Sequence, residues 1–506
     1  MKFLDKKNTL GGDAIMLTIS NFMVSVIGVI TSMLLARFRT LNEYGTYSQI
    51  IMVTDLVSTI LLLGLPGSVN YFIAKADTKE EKQKFLTLYL VLSTIITAII
   101  GVCLFIAMPL IIQYFDNPYI SSFAYIFAIY PWASIIINSL SNVCVVYGKS
   151  NKLVVFNVVH VLVNLAVLLL AKVFDWGFQT YTLIYIISML LFAIFAVWWM
   201  RRIAGGLKFS IDWKLIKAIF VFSIPMGLAS SVGTLNGELD KLIIGKFFST
   251  EEYAIFANAS KTLPVTILAT SLTMVLLPKF VRLLKEGRNE EAVSIWGSSI
   301  NISFCVMCLI VGGFIVFAPD VMSLFYSEKY VTPDGIAVFR IYSLILLFRA
   351  TYWGIVLNAM GKTKFIFYTS VATLALNCVG NILCYYAFGF VGPAISSLIV
   401  IALMGFAQLA VTSKLLQVPF SKIFPWKKLA IFLIETAVMG VMFYAVKYWL
   451  LGDFSRLTSI VISIGLGGVW GIVYLLFNFK FLKRDWKNLN QKQEGMKDEE
   501  TEETYN

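Results

Sequence analysis

Long, almost uninterrupted runs of apolar residues recur along the whole chain, separated by short segments rich in charged residues and glycine. Each run has about 20 residues, the length that an α-helix needs to cross the hydrocarbon core of a bilayer. Charged residues interrupt the seventh and eighth runs. The pattern predicts fourteen transmembrane helices, centred near Val24, Leu61, Ile96, Ile135, Leu165, Leu190, Leu228, Leu268, Cys308, Ile345, Leu376, Ile401, Val438 and Gly465.

The composition agrees with a membrane protein. Hydrophobic residues make up 58% of the chain and charged residues only 14%, with a mean hydropathy of +0.81. In soluble proteins about a quarter of the residues are charged. We therefore predict an all-α integral membrane protein.

The distribution of the positive charge predicts the orientation of the chain. If the N-terminus is cytoplasmic, the inner segments carry 30 Lys and Arg residues and the outer loops carry seven. Basic residues concentrate on the cytoplasmic side of membrane proteins. Both termini are therefore predicted to be cytoplasmic, and the net charge of +12 is a topology signal that indicates no nucleic-acid partner.

The chain repeats itself internally. An offset of 209 residues aligns "ARFRTLNEYGTYSQ" with "GKFFSTEEYAIFANA" and places Glu43 on Glu252. A similar offset aligns "GKSNK" with "GKTK", placing Gly148 on Gly361. Both short segments lack the first glycine of a P-loop, so they predict turns between helices and no nucleotide site. Because each repeat holds six predicted spans, the two repeats share one orientation in the membrane.

The repeat predicts the organisation of the chain and its mode of action. Two six-helix lobes related by a parallel repeat are followed by two additional helices and a tail. Lobes of this kind, facing each other across a cavity, suit a transporter that works by rocking motions. The predicted parts are an N-terminal lobe over 1–208, a C-terminal lobe over 209–413, two added spans over 414–480 and a disordered cytoplasmic tail over 481–506.

Several motifs resemble a known family. They are "LLARFRTLNEYGTYSQ", "GLPGSVNYF", "DKLIIGKFFSTEEYAIFANASK", "LNAMGKTKF" and "LNCVGNILCYYAFGFVGPAISS", spread over roughly the first 410 residues. In order and spacing they resemble the polysaccharide-export flippases, the lipid-linked oligosaccharide branch of the MATE-like MOP superfamily. The resemblance implies transport of an undecaprenyl-pyrophosphate-linked oligosaccharide from the inner to the outer leaflet of the bacterial plasma membrane. It also implies alternating access, a cavity of cationic character, a role in making capsule, O-antigen or lipopolysaccharide, and cooperation with polymerase machinery.

Three cationic residues inside the spans are candidates for substrate binding. Arg349 lies near the predicted midplane, where an ionised side chain is costly and usually functional. Lys261 and Arg340 lie closer to the outer ends of their helices. Arg and Lys suit the oxygens of a diphosphate, so all three are predicted to bind the substrate.

Four further charged residues are candidates for a gate or for ion coupling. Glu238 and Lys241 are three residues apart and are predicted to pair along one helix. Asp240 points away from Lys241 and lies at the same depth as Asp55 and Lys261. We predict an outer gate in which Lys261 is shared between Asp240 and Asp55. The alternative is a structural ion pair whose lysine extends towards the interface.

Four polar residues inside the spans are predicted to be structural. His160 is expected to be packed and hydrogen-bonded, and Glu435 to extend its carboxylate towards the inner interface. The aligned pair Asn164 and Asn377 is expected to hydrogen-bond between helices.

Two alternative functions stay open at this stage. A cation-coupled drug exporter of the same superfamily would favour acidic sites, and a membrane glycan polymerase would be expected to carry a large outer loop with catalytic residues. No cofactor or metal is expected, and coupling to H⁺ or Na⁺ is left open. Cys305 and Cys308 have the spacing of a redox or metal motif but are predicted to be apolar filler within a span.

Overall fold

The computed structural model divides into two compact units, Met1–Ala257 and Asn258–Asn506. All regular elements among the described residues are helical, with short 3₁₀ and π turns between longer α-helices. The structure describes residues 10–261, 280–349, 353–450 and 455–505.

The first unit contains eight complete helices and most of a ninth. In chain order they are α1 Leu10–Phe38, α2 Leu41–Leu61, α3 Leu65–Lys75, α4 Lys79–Phe115, α5 Ala124–Val146, α6 Ser150–Val173, α7 Phe178–Ala204, α8 Trp213–Phe247 and α9 Thr250–Ala259. The helix α8, which the sequence places at the start of the second lobe, packs against α2, α3 and α4 of this unit. The predicted boundary between the two lobes, at residues 208 and 209, follows from the sequence repeat and stays a prediction.

The second unit continues with a helical stretch at 280–285. Its named helices are α10 Asn289–Val316, α11 Ala318–Tyr326, α12 Pro333–Arg349, α13 Ile355–Ala359, α14 Thr363–Phe388, α15 Gly392–Leu416, α16 Phe420–Ile423, α17 Trp426–Ala445 and α18 Arg456–Tyr505. The last helix continues through the segment predicted to be a disordered tail. Glu and Lys are abundant in that segment and are good helix formers.

The predicted multi-pass architecture is confirmed. Within the described ranges, nine helical segments are long and apolar enough to cross a membrane, and the bent pair α2 and α3 makes ten. One of these segments, Lys364–Leu416, holds two helices, and a shorter apolar helix at Phe22–Phe38 occupies the place of the first predicted span. The predicted eighth span, near Leu268, lies outside the described residues. The count of fourteen is consistent with these elements but is not confirmed by them.

A sharp bend separates α2 from α3. Leu63 and Gly64 both have positive φ, 48° and 73°, and the two helices meet at 46°. On the neighbouring helix, a Cβ added to Gly227 would lie 2.0 Å from the carbonyl carbon of Leu63. The bend therefore needs a glycine at position 64 for its backbone conformation and one at position 227 for the close approach.

The repeat is visible in the hydrogen bonds at two aligned helix starts. The amide of Glu43 donates to the hydroxyl of Thr40 at 3.2 Å, and the amide of Thr40 donates to the carboxylate of Glu43 at 3.0 Å. The second half has the same reciprocal pair between Ser249 and Glu252, at 3.2 and 2.9 Å. Both are capping boxes, which set the first residue of a helix through local chemistry.

The two aligned glycine turns also have one conformation. Gly148 and Gly361 have φ of 62° and 66°. After each glycine, the amide of Lys149 or Lys362 donates to the carbonyl five residues earlier, at 2.8 Å in both cases. This is the hydrogen bond of a helix C-cap with a left-handed glycine. The prediction that these segments are turns is confirmed.

The two added helices pack along α10 in the second unit. Near one end, the carboxylate of Asp485, which is 2% exposed, accepts hydrogen bonds from Asn301 at 3.0 Å and from Lys428 at 3.1 Å. Further along, Glu435 accepts a hydrogen bond from Asn478 at 3.0 Å. The carboxylate of Glu435 thus has a partner on the facing helix, and its extension towards the inner interface stays a prediction.

Candidate functional site

Two of the predicted cations line one small pocket in the second unit. Lys261 follows the end of α9, and Arg349 is the last residue of α12; both line the pocket together with Tyr342 and Ser343. An ammonium, a guanidinium and hydroxyl groups around one space provide hydrogen-bond donors for phosphate oxygens. We call this space, of about 10 Å³, the cationic pocket.

The third predicted cation lies elsewhere. Arg340 is on α12, as Arg349 is, but its Nε donates to the carbonyl of Ile315 on α10 at 3.0 Å. It lines a separate, mostly apolar groove with residues such as Leu344 and Tyr444. The structure thus brings Lys261 and Arg349 together and leaves Arg340 out of their pocket.

The charged cluster on α8 has the predicted internal pair. The Nζ of Lys241 lies 2.7 Å from the Oε2 of Glu238, and the side chains are 21% and 29% exposed. Asp240 is 3% exposed, and its carboxylate accepts the backbone amide of Lys241 at 2.9 Å. Tyr253 on α9 interacts electrostatically with both Glu238 and Asp240. The two carboxylates therefore have different surroundings. That of Glu238 is partly exposed and paired with Lys241, and that of Asp240 is buried.

Asp55 belongs to the same region of the first unit. Its side chain is exposed, hydrogen-bonds to Tyr130 of α5 and interacts electrostatically with Glu238 and Lys241 of α8. The charges on α2 and α8 are therefore close to each other. We call Asp55, Glu238 and Lys241 the acidic cluster of the first unit.

The sequence did not predict that tyrosines lie next to the acidic cluster. Tyr47 and Tyr185 hydrogen-bond to each other, and their ring centroids are 6.4 Å apart in an edge-to-face arrangement. Tyr130 contacts Asp55 directly and interacts electrostatically with Tyr185. They lie on α2, α5 and α7, so no spacing along the chain could have predicted their assembly. The hydroxyls are donors and acceptors beside the carboxylate of Asp55.

The hypothesised gate stays a prediction. It requires Lys261 of the second unit to contact Asp240 and Asp55 of the first. The geometry described above lies within each unit: Asp55 interacts with the pair on α8, and Lys261 shares a pocket with Arg349. The predicted roles of these residues in binding or gating are likewise untested.

The predicted hydrogen-bonding asparagines are confirmed in both halves. Ser188 on α7 donates to the Oδ1 of Asn164 on α6 at 3.5 Å. Ser396 on α15 donates to the Oδ1 of Asn377 on α14 at 3.4 Å. His160 lies 3.1 Å from the amide nitrogen of Asn164, as expected for a packed, hydrogen-bonded residue.

The two cysteines with motif-like spacing are structural. Cys305 and Cys308 are fully buried in the apolar core of the second unit, as the sequence predicts. Over the described ranges no group of three or more His, Cys, Asp or Glu side chains is placed to hold a metal ion.

Comparison with solved structures defines the fold. A lipid II flippase, MurJ, in an inward closed conformation, aligns with a TM-score of 0.71 at 16% identity, covering 92% of this chain and all of that one. An inward-facing multidrug resistance MATE transporter of the MOP superfamily aligns with a TM-score of 0.61 at 16% identity, covering 78% and 94%. The fold is therefore that shared by this flippase and this transporter of the MOP superfamily.

Sequence comparison places the chain within a family. It belongs to the family described as "Polysaccharide biosynthesis protein", whose profile matches residues 34–333, more than half of the chain. It is 22% identical to the capsular polysaccharide biosynthesis protein CapF of Staphylococcus aureus over 40% of this chain and 52% of that protein. The chain spans about half the length of the curated relatives it matches.

Proposed function

We propose that this protein is a flippase for a lipid-linked oligosaccharide. It moves an undecaprenyl-pyrophosphate-linked glycan from the inner to the outer leaflet of the bacterial plasma membrane by alternating access, for the assembly of a surface polysaccharide. The family assignment and the likeness of the fold to a lipid II flippase support this proposal. The relative named for capsular polysaccharide biosynthesis supports capsule as the product class.

The cationic pocket is the observation that carries the proposal. Lys261 and Arg349 lie on separate elements and line one space inside a membrane protein. Charged side chains in such a position are costly unless they serve a substrate or ion pathway. A diphosphate offers several anionic oxygens to the two side chains, with Arg349 able to bind in a bidentate manner. A cationic drug would be repelled by the same pocket, which disfavours the exporter.

The acidic cluster supports coupling to a cation. Asp55, with Tyr130 beside it and Glu238 nearby, offers oxygen atoms to H⁺ or Na⁺. Binding of the cation by one conformation more tightly than by the other would shift the balance between the two. In the proposed cycle, Asp240 and Lys261 form the outer gate with Asp55, and the cation at the cluster biases its opening.

The remaining assignments rest on the sequence. The excess of Lys and Arg in alternate loops supports cytoplasmic termini. Insertion in the plasma membrane is part of the proposed function. A polymerase that consumes the flipped oligosaccharide is the expected functional partner, since the glycan is delivered to the outer leaflet in short units.

Deletion of the gene tests the proposal. The deletion strain is expected to retain the lipid-linked oligosaccharide on the cytoplasmic leaflet and to lose one surface polysaccharide, as measured by leaflet-specific glycan labelling and immunoblotting. An intact surface glycan with increased sensitivity to cationic dyes would instead identify a drug exporter. Complementation with the intact gene controls for effects on neighbouring genes.

A further inference from the structure

An apolar groove lies between α6 and α7 in the first unit, away from the acidic cluster. The helix α6 packs chiefly along α1, and α7 packs chiefly along α5, so their facing surfaces leave a groove of about 570 Å³. Its walls are almost wholly apolar, and one basic residue stands at its end. The residues that matter here are Lys152, Val155, Phe156, Leu191, Phe195 and Trp199.

The walls of the groove are open to the surroundings of the protein. Val155 is 63% exposed, Leu191 is 61% exposed and Phe195 is 46% exposed. On a membrane-spanning helix, large apolar side chains of this exposure face hydrocarbon chains and not water. The groove can therefore hold an acyl chain.

Aromatic contacts and hydrogen bonds hold the floor of the groove in place. The rings of Phe156 and Phe195 stack at 6.1 Å, and Trp199 lies 5.9 Å from Phe156. His160 stacks on Phe156 at 6.2 Å and is hydrogen-bonded to Asn164. Because the floor is ordered before binding, little conformational entropy is lost when a chain lies on it.

The charges that α6 and α7 themselves carry at one end of the groove have a single sign. Lys152 is in the first turn of α6, and Arg201 and Arg202 are in the last turn of α7, which is the neighbouring antiparallel helix. Neither helix contains an Asp or Glu residue. Basic positions between transmembrane helices at the level of the head groups attract anionic lipids.

We propose that this groove is a binding site for an anionic phospholipid of the bilayer. One acyl chain lies along Phe156, Phe195 and Trp199, and the phosphate is bound by Lys152 with support from the arginines at the end of α7. The groove shares no lining residue with the cationic pocket or with the acidic cluster, and the proposed occupant is a resident lipid of the bilayer.

Native mass spectrometry of the purified full chain tests the site. The protein is incubated with an equal mixture of phosphatidylglycerol and phosphatidylcholine of identical acyl chains and stripped to its last retained lipids. One basic residue near a membrane surface contributes about 1 kcal/mol, so wild type is expected to retain phosphatidylglycerol about fivefold over phosphatidylcholine. Lys152→Ala is expected to remove most of that preference, with the arginines of α7 retaining the remainder, and Leu191→Trp, which fills the groove, to lower retention of both lipids.

Lys214→Ala is the matched control, since it removes the same charge from the exposed start of α8. It is expected to retain the preference of wild type. Equal retention of the two lipids by wild type, or an equal loss in the Lys152 and Lys214 variants, would overturn the proposal. Thermal unfolding of each variant confirms that it is folded before binding is measured.

Photocrosslinking locates the lipid. Phosphatidylglycerol with a diazirine in its acyl chain is expected to label peptides containing 152–159 and 191–199 in proteoliposomes. Labelling confined to other helices contradicts the site. Polyprenyl phosphate is added as a competitor: if it displaces the label at a concentration at which phosphatidylglycerol does not, the groove binds the polyprenyl chain, and the assignment to a bilayer phospholipid is wrong.

Discussion

The two units of this protein contain charged regions of opposite character. The first has the acidic cluster, in which Asp55 and Glu238 accompany one lysine, Lys241. The second has the cationic pocket, with Lys261 and Arg349. The repeated halves have the same helix starts, the same glycine turns and the same asparagine–serine hydrogen bonds. The two repeated halves thus share these local hydrogen bonds and turns. The charged residues differ between the two units and do not follow the repeat.

This contrast suggests a division of labour under the proposed function. Substrate anions would be bound in the second unit and coupling cations in the first. Binding at one site can affect binding at the other if both ligands prefer the same conformation of the protein. The following experiments ask whether the regions are in fact specialised.

The largest expected effect is that of Arg349→Ala. Loss of the guanidinium from the cationic pocket is expected to lower export about tenfold or more, because a hydrogen bond to a charged group contributes about 1.5–3 kcal/mol. Arg349→Lys should retain part of the activity. Arg340→Ala is the control on the same helix: its Nε is hydrogen-bonded to Ile315, and a smaller loss is expected. Export is measured as surface polysaccharide per unit of inserted protein; normal export by Arg349→Ala would exclude this residue from the mechanism.

The next effect concerns the predicted gate between the two regions. Asp240→Lys is expected to impair export strongly, because it places a cation where a buried carboxylate stands. Adding Lys261→Asp should restore part of the activity if the two charges meet during transport. Membrane abundance of each variant is measured alongside export. A double variant no more active than the weaker single variant would show that the charges act separately.

Cysteine crosslinking gives a second measurement of the same gate. Cysteines introduced at Asp55 and Lys261 are expected to crosslink more readily when the cavity faces the cytoplasm, and addition of substrate should change the yield. A cysteine pair at Asp55 and Arg340 serves as the control, because Arg340 is outside the predicted gate. A yield that does not respond to substrate would contradict the gate.

A moderate effect is expected from neutralising the acidic cluster. Asp55→Asn removes the carboxylate but keeps its shape, so the dependence of export on a Na⁺ or H⁺ gradient should be lost while substrate binding is retained. Tyr130→Phe, which removes the hydroxyl next to Asp55, should weaken that dependence without abolishing it. Transport is followed in proteoliposomes with and without each gradient. Unchanged gradient dependence in Asp55→Asn would exclude the cluster from coupling.

The smallest effect tests the shared scaffold. Thr40→Ala and Ser249→Ala each remove one capping box and should each lower stability by about 1 kcal/mol. Because the two boxes have the same hydrogen bonds, the two losses should be similar and export should change little. Thermal unfolding in detergent measures them. A selective loss of export in one variant would show that the helix starts, like the charged regions, have become specialised.

The sequence by itself determined the features that depend on residues close together in the chain. The apolar runs predict the spans, and the turns at Gly148 and Gly361 follow from a residue that tolerates positive φ. Each of these features depends on neighbours within a few positions, so it can be read along the chain. The pair Glu238 and Lys241 is predictable for the same reason, since residues three apart share a helix face.

Only the tertiary structure decided which residues come together in each site. Lys261 and Arg349 are far apart in the chain, as are Asp55 and Tyr130, and neither pairing has a signature in spacing. Arg349 and Arg340 are both predicted from the sequence to bind the substrate, yet packing places only Arg349 in the cationic pocket. A charged side chain inside the membrane binds whichever partner the packing of other helices brings near, and that packing depends on the whole fold.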